Sequence, residues 1–288
     1  MEVREVNIAL ITCTECGRVI CKIPTNTIIL ILSLILTIQP VFSQDRKKPV
    51  TGKFSLMPKI GTDFTVGGTF GKAAKISDSL TIGSVSITAA ISGGSQDFDD
   101  VYHSPVSTGL NLNYGLTDYT EVFIGLGYLK AESKEFDAAI FDVVGTFGST
   151  TVSLSEPLTA EFDDYHETSL NVGIRHFFNR FQALSPFVSI EGGLKHTDKI
   201  ELEWSVVGEA ISDISFYEES WTPNFGMGVG FLLEIKDNIY FSAETGLHYD
   251  FNLNQDDTDW RGSDDYENIN DAGERWSVPL MFSLRISL

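Results

Sequence analysis

Cysteine is almost missing from this chain. The three that occur, Cys13, Cys16 and Cys21, sit near its start, and no disulfide can hold the remainder together. Cys13-x-x-Cys16 has the spacing of half a zinc site or of a redox pair. A structural zinc site takes four ligands, and no second pair exists. Basic residues are scarce too: 20 Lys and Arg stand against 40 Asp and Glu, a formal charge of −20. Tracking a phosphate backbone needs clustered Lys and Arg, so nucleic acid is excluded as a partner. Long apolar runs are absent from the body of the chain, which excludes helical membrane spans.

The N-terminus is of another kind. In TIILILSLILTIQPVFSQ, residues Ile28 to Ile38 are almost wholly apolar, with Arg18 and Lys22 upstream and Val41 and Ser43 at the small-residue positions of a cleavage site. This is the pattern of a secretory signal peptide cut near Ser43. The run is short for an uncleaved anchor, and the polar stretch Gln44 to Lys48 follows at once. Cleavage removes three acids and three bases, so the charge stays at −20.

What fills the body is alternation with period 2. From Trp276 to Leu288 the even positions Trp276, Val278, Leu280, Phe282, Leu284, Ile286 and Leu288 are apolar, while Ser277, Ser283, Arg285 and Ser287 lie between. In NIYFSAETGLHYDF, Ile239, Phe241, Ala243, Leu247, Tyr249 and Phe251 share one face. Tyr240, Ser242, Glu244, His248 and Asp250 share the other. Similar segments predict eight strands, over 80–92, 105–116, 120–131, 168–179, 184–197, 222–236, 238–251 and 275–288. Short turns (LTDY, RFQA, KDN) alternate with longer acidic connections (93–104, 132–167, 198–221, 252–274), which places every long loop at one end. Residues 1–43 are then the signal peptide and 80–288 the barrel. Residues 44–79 are an N-terminal periplasmic segment or one extra hairpin, which would give ten strands.

A soluble β-sandwich would alternate as well. Here the less apolar face carries Arg175, Glu191, Lys195, Glu234, Glu244, His248 and Arg285, too much charge for a large dry core. The apolar face carries aromatics near segment ends, as interfacial girdles do. Only a closed sheet satisfies every strand backbone group in lipid. The expected fold is all-β: a closed antiparallel up-and-down transmembrane β-barrel of eight strands. The charged face becomes a lumen network that fills and stiffens a narrow interior. The other reading of the same residues is a narrow polar pore.

The signal peptide, the eight alternating strands, the NYGLTDYTEVFIGLGY turn and the FSLRISL ending resemble the small outer-membrane β-barrel proteins of Gram-negative bacteria, the OmpA/OmpX-like group. The resemblance covers about residues 80–288. It implies outer-membrane lipids and lipopolysaccharide as surroundings, a monomer, and no cofactor. It also implies a recognition signal for the outer-membrane assembly machinery in the last strand, here Phe282, Leu284, Ile286 and Leu288. That signal usually ends in an aromatic residue, and this chain has Leu288.

Some barrels of this kind are enzymes. His248-x-Asp250 puts two catalysis-capable side chains on one strand face, but no motif marks a nucleophile. Asp257-x-Asp259-x-Arg261-Gly262 begins like a calcium loop and fails at Arg261 and Asn268. The sequence therefore points to a non-enzymatic barrel with a structural or surface-interaction role. A narrow porin-like channel and a lipid-modifying enzyme are the alternatives. KIELEWSVVGEAISDISF alternates about Ile200, Leu202 and Trp204, which predicts a hairpin extended beyond the membrane with an exposed edge.

Overall fold

A computed structural model describes residues 51–83, 85–178, 184–206, 209–256 and 269–288. The expected signal peptide, the cysteines, the RFQA turn and the calcium-like stretch lie outside the described residues. The elements run β1 (Phe54–Gly67), β2 (Thr69–Gly71), β3 (Ala74–Ile82), β4 (Val85–Gly93), β5 (Gln96–Asp97), α1 (Phe98–Val101), β6 (Val106–Gly115) and β7 (Thr120–Ala131). They continue with β8 (Phe136–Phe147), β9 (Thr150–Phe162), β10 (Tyr165–Phe177), β11 (Leu184–Thr197), β12 (Ile200–Val206) and β13 (Glu209–Tyr217). The last three are β14 (Ser220–Lys236), β15 (Ile239–Asp250) and β16 (Arg275–Ser287).

Eight of these strands close a ring in the order β1-β16-β15-β14-β11-β10-β7-β6, every neighbour antiparallel. Six others form a separate sheet beyond the long-loop end, ordered β13-β12-β9-β8-β4-β3. The strand count is as expected, but the first strand is not. The barrel begins at Phe54, and β1 pairs with both β6 and β16. Segment 80–92 instead supplies β4 and the end of β3. Residues 44–79 are thus neither a wholly periplasmic segment nor an extra barrel hairpin, and the barrel boundary moves from 80 to 54. Alternation alone cannot separate the two segments, since both have period 2. Side-chain type does: β1 turns Phe54, Ile60, Phe64 and Val66 outward and Asp63 inward, whereas β4 is small and Ser/Thr-rich.

The polarity of the ring is inverted relative to a soluble protein. Leu112, Ile124, Leu126, Val172, Ile190, Met227, Leu280 and Phe282 are among its exposed residues. Asn111, Asn113, Glu121, Arg175, Lys195, Asp250 and Arg285 are buried inside. Outward aromatics gather at both rims: Phe54 packs on Tyr114 at the short-turn end, and Tyr249 packs on Trp276 at the other. An apolar belt between aromatic girdles around a polar interior is the signature of a membrane-spanning barrel. No helix among the described residues is long and apolar enough to cross.

Local chemistry explains the connections. At KDN, Asn238 takes a positive φ of 65°, which Asn tolerates better than most residues. At LTDY, Leu116 and Thr117 amides donate to the Thr120 carbonyl, and the Thr117 hydroxyl accepts from the Tyr119 and Thr120 amides. Pro279 brings no amide hydrogen to the ladder. Its pairing with Asp63 on β1 is intact, while on β15 the pairing lapses between Leu280 and Ser277 and resumes in the same register.

Candidate functional site

Two features could carry function: the lumen, and the structure that stands on its long-loop end. The lumen holds two separate charge clusters. Near the short-turn end, the Arg175 guanidinium lies 3.0 Å from Glu121 and 3.2 Å from Glu244, and Arg285 lies 2.7 Å from Glu121. Arg175 also stacks over Phe187, 4.5 Å from the ring centre. The Ser189 hydroxyl donates to Glu244 at 2.5 Å. Near the long-loop end, Lys195 lies 3.0 Å from Glu167 and 2.5 Å from Asp250. There Arg275 reaches Asp250 at 2.8 Å, Asp63 at 3.3 Å and Glu167 at 3.5 Å.

Of the seven lumen residues singled out in the sequence, Arg175, Glu244 and Arg285 fall in the first cluster and Lys195 in the second. Glu191 and His248 face each other at 3.5 Å between them. Glu234 stands half-buried near the short-turn end, opposite Tyr240 in register. His248 and Asp250 do share a strand face, but Asp250 is engaged by Lys195 and Arg275 rather than by the imidazole. The principal partners missing from the sequence reading are Glu121, Asp63, Glu167 and Arg275. Inward parity could have found them: Glu121 falls in step with Phe123, and Arg275 with Ser277 and Arg285. Cross-strand register then decides the contacts, and it sets Glu121 directly opposite Arg175.

Glycines on the inner wall make room for these groups. A Cβ on Gly228 would come within 2.7 Å of Glu244 Oε1, and one on Gly226 within 2.6 Å of the His248 ring. Below the lower cluster, Phe177, Phe187 and Leu232 are buried together with Tyr240 against them. Leu232 thus lies in the lumen.

Above the upper cluster is a second core. Phe70, Phe98, Val101, Tyr102, Phe162, Phe216 and Tyr217 are its centre, drawn from three long connections, and Leu253 joins from the fourth. Phe70 contacts five rings, with centroids 4.8 to 6.2 Å away. The Tyr217 hydroxyl donates to the Phe70 carbonyl. Burial pushes the Tyr102 and Tyr217 phenols well above their ordinary range. Arg275 joins this cap to the wall, standing 5.1 Å from the centre of the Phe98 ring.

Beyond the cap the six-stranded sheet is two-faced. Register puts Leu80, Ile87 and Val152 on one side, the latter two through Gly145, with Ile82, Val85 and Phe147 beside them. The other side reads Ser79, Thr81, Ser86, Thr88, Thr146, Thr151 and Ser153, with Val144 among them. On β9 the first of these sides runs from buried Phe162, Ala160 and Leu158 past half-buried Glu156 to exposed Leu154 and Val152. Between β8–β9 and β12 a polar hollow is lined by Ser133, Glu161, Asp163, Asp164, Glu201 and Glu203. There the Lys130 ammonium, 2.8 Å away, helps hold the Asp164 carboxyl below its usual range. Among the described residues no three His, Cys, Asp or Glu side chains are arranged to hold a metal ion.

No protein-family profile and no curated protein matches the chain. Among solved structures it is similar to neisserial surface protein A, at 11% identity over 81% of this chain and 96% of that one, with a TM-score of 0.40. It is similar to Ail, the attachment invasion locus protein of Yersinia pestis, at 12% identity over 83% and 99%, TM-score 0.35. The outer membrane protease OmpT of Escherichia coli aligns at 12% identity over 85% and 100%, TM-score 0.40. At such distances the assignment rests on this chain's own register: a closed eight-stranded antiparallel barrel, apolar outside and charged within.

Proposed function

We propose that this is a non-enzymatic protein of the Gram-negative outer membrane, whose working part is the sheet that its barrel holds above the membrane. One observation carries the reading. On the apolar side of that sheet, Phe147, Leu154, Val152, Leu80 and Ile82 are exposed to between 50% and 68%. Large apolar surface outside lipid costs solubility, and such patches mark interaction sites. The adjoining edge strand β3 is paired on one side only, by β4. An edge of this kind can accept an extended chain.

The lumen supports a structural role rather than transport. An interior of eight strands is just wide enough for side chains to fill, and here ion pairs and the Phe177–Phe187–Leu232 group occupy it. In this reading lipopolysaccharide and outer-membrane lipids surround the belt, the barrel is a monomer, and no cofactor is needed. The outward residues Phe282, Leu284 and Ile286 of β16, with Leu288 just past its end, address the assembly machinery.

The test uses cells displaying the protein and octyl-coated beads as the apolar probe. Display is expected to raise retention, and the triple variant Leu80→Ser, Ile82→Ser, Leu154→Ser to return it to the vector control. Heat-modifiable gel migration reports that the variant barrel is still folded. Equal retention of both proteins would overturn the interaction reading. Stable single-channel steps in planar bilayers, lost on charge reversal at Arg175 or Glu244, would replace it with the channel.

A further inference from the structure

We infer that the long-loop end of the lumen takes up one further positive charge from solvent, a proton or a single alkali-metal cation. A cation would be held at the free carboxylate oxygens of Asp63 and Asp250, beside the hydroxyls of Thr65 and Ser277; a proton would sit on the Asp63 carboxyl, since Lys195 and Arg275 keep Asp250 ionised.

The charges do not balance there. Two cations, Lys195 and Arg275, meet three anions, Asp63, Glu167 and Asp250, and none of the five side chains is more than 7% exposed. A buried charge without compensation is costly and is normally neutralised or paired. The lower cluster offers the contrast, since Arg175 and Arg285 match Glu121 and Glu244 one for one.

Among the described residues, the neighbouring groups do not supply the missing charge. His248 on β15 faces Glu191 on β11, so a charged imidazole there is already matched. Lys59 lies four residues below Asp63 on β1, roughly 13 Å along the strand. Glu274, beside Arg275, and Asp99 and Asp100 of α1 are themselves acidic. The Phe98 and Tyr165 rings cover Arg275 at 5.1 and 5.9 Å.

Unsatisfied atoms occur at neighbouring positions of β1, β15 and β16. Asp63 Oδ1, Asp250 Oδ1, Thr65 Oγ1, Ser277 Oγ and Arg275 Nη1 have no hydrogen-bond partner among the described residues. Register places Thr65 opposite Ser277 and Asp250 opposite Arg275, with Asp63 two residues from Thr65 on the same face. Ser277 is fully buried. Buried polar atoms are otherwise nearly always paired. Four oxygens, two of them anionic, suit a proton or a hard cation, which takes oxygen ligands. The free Arg275 hydrogen suits a water molecule accompanying the charge.

The test is heat-driven unfolding of the refolded full chain in detergent micelles. Sodium chloride is compared with choline chloride of equal ionic strength, and pH is varied separately. The midpoint is expected to rise with sodium, or with proton concentration, by about 2–4 °C per tenfold step while the species is above half-saturation. Asp63→Asn leaves two charges against two and should lose that response. Should it fail to refold, Glu167→Gln removes the same charge. The double variant Thr65→Val, Ser277→Ala separates the sources: it abolishes a sodium response and spares a proton response. A midpoint insensitive to both species overturns the inference. So does a response that persists at wild-type size in Asp63→Asn or Glu167→Gln.

Discussion

The barrel wall and the sheet above it share one period-2 alternation but turn it opposite ways. In the wall, Leu126 and Val172 face out and Glu121 and Arg175 face in. In the cap at the foot of the sheet, Phe70, Phe162 and Phe216 face in, as in any water-soluble domain. The same pattern serves two solvents because a strand sorts its side chains into two sets without saying which set is to be wet. Lipid around the wall rewards apolar residues outside, and the narrow lumen admits polar ones only if they pair. Water around the cap reverses the choice.

Breaking a partner on each side of that divide tests the comparison. Glu121→Ala strands Arg285 in the interior and leaves Arg175 with Glu244 alone, and removal of one partner from a buried ion pair costs about 3–5 kcal/mol. The expected result is a large fall in the urea midpoint of the refolded barrel. Phe70→Ala empties the hub of the cap, a loss of about 3–5 kcal/mol where an aromatic core residue is truncated. That cost should stay in the cap: protease cuts in the long connections should speed up, while heat-modifiable migration of the barrel is kept. The finest test makes one substitution in both solvents. Leu126→Arg on the belt should cost about 2–4 kcal/mol if it lies near the bilayer midplane. Leu154→Arg on the sheet, exposed to water, should stay within about 0.5 kcal/mol. Equal costs by urea titration in vesicles would erase the distinction drawn between the two regions.

Seven of the eight barrel strands were legible in the sequence to within a few residues, because inward and outward sets differ in composition as well as period. The eighth was misplaced, because 80–92 alternates as regularly as 54–67. The hairpin around Trp204 was legible as well, as β12 and β13. The six-stranded sheet was not, since it joins hairpins from three separate connections. Four inward charges went unremarked because their partners are set across strands. Arg275 meets Asp63, Glu167 and Asp250 from three different strands, at sequence separations that no local pattern records.

Alone, the sequence determined the class of the protein: strands, their two faces, and an apolar face too continuous for a frayed surface. These are local properties, readable residue by residue. Tertiary structure decided which strand closes the ring, which carboxylate meets which guanidinium, and where one charge is left over. Those depend on register between strands, and register is a choice made by the whole closed sheet at once.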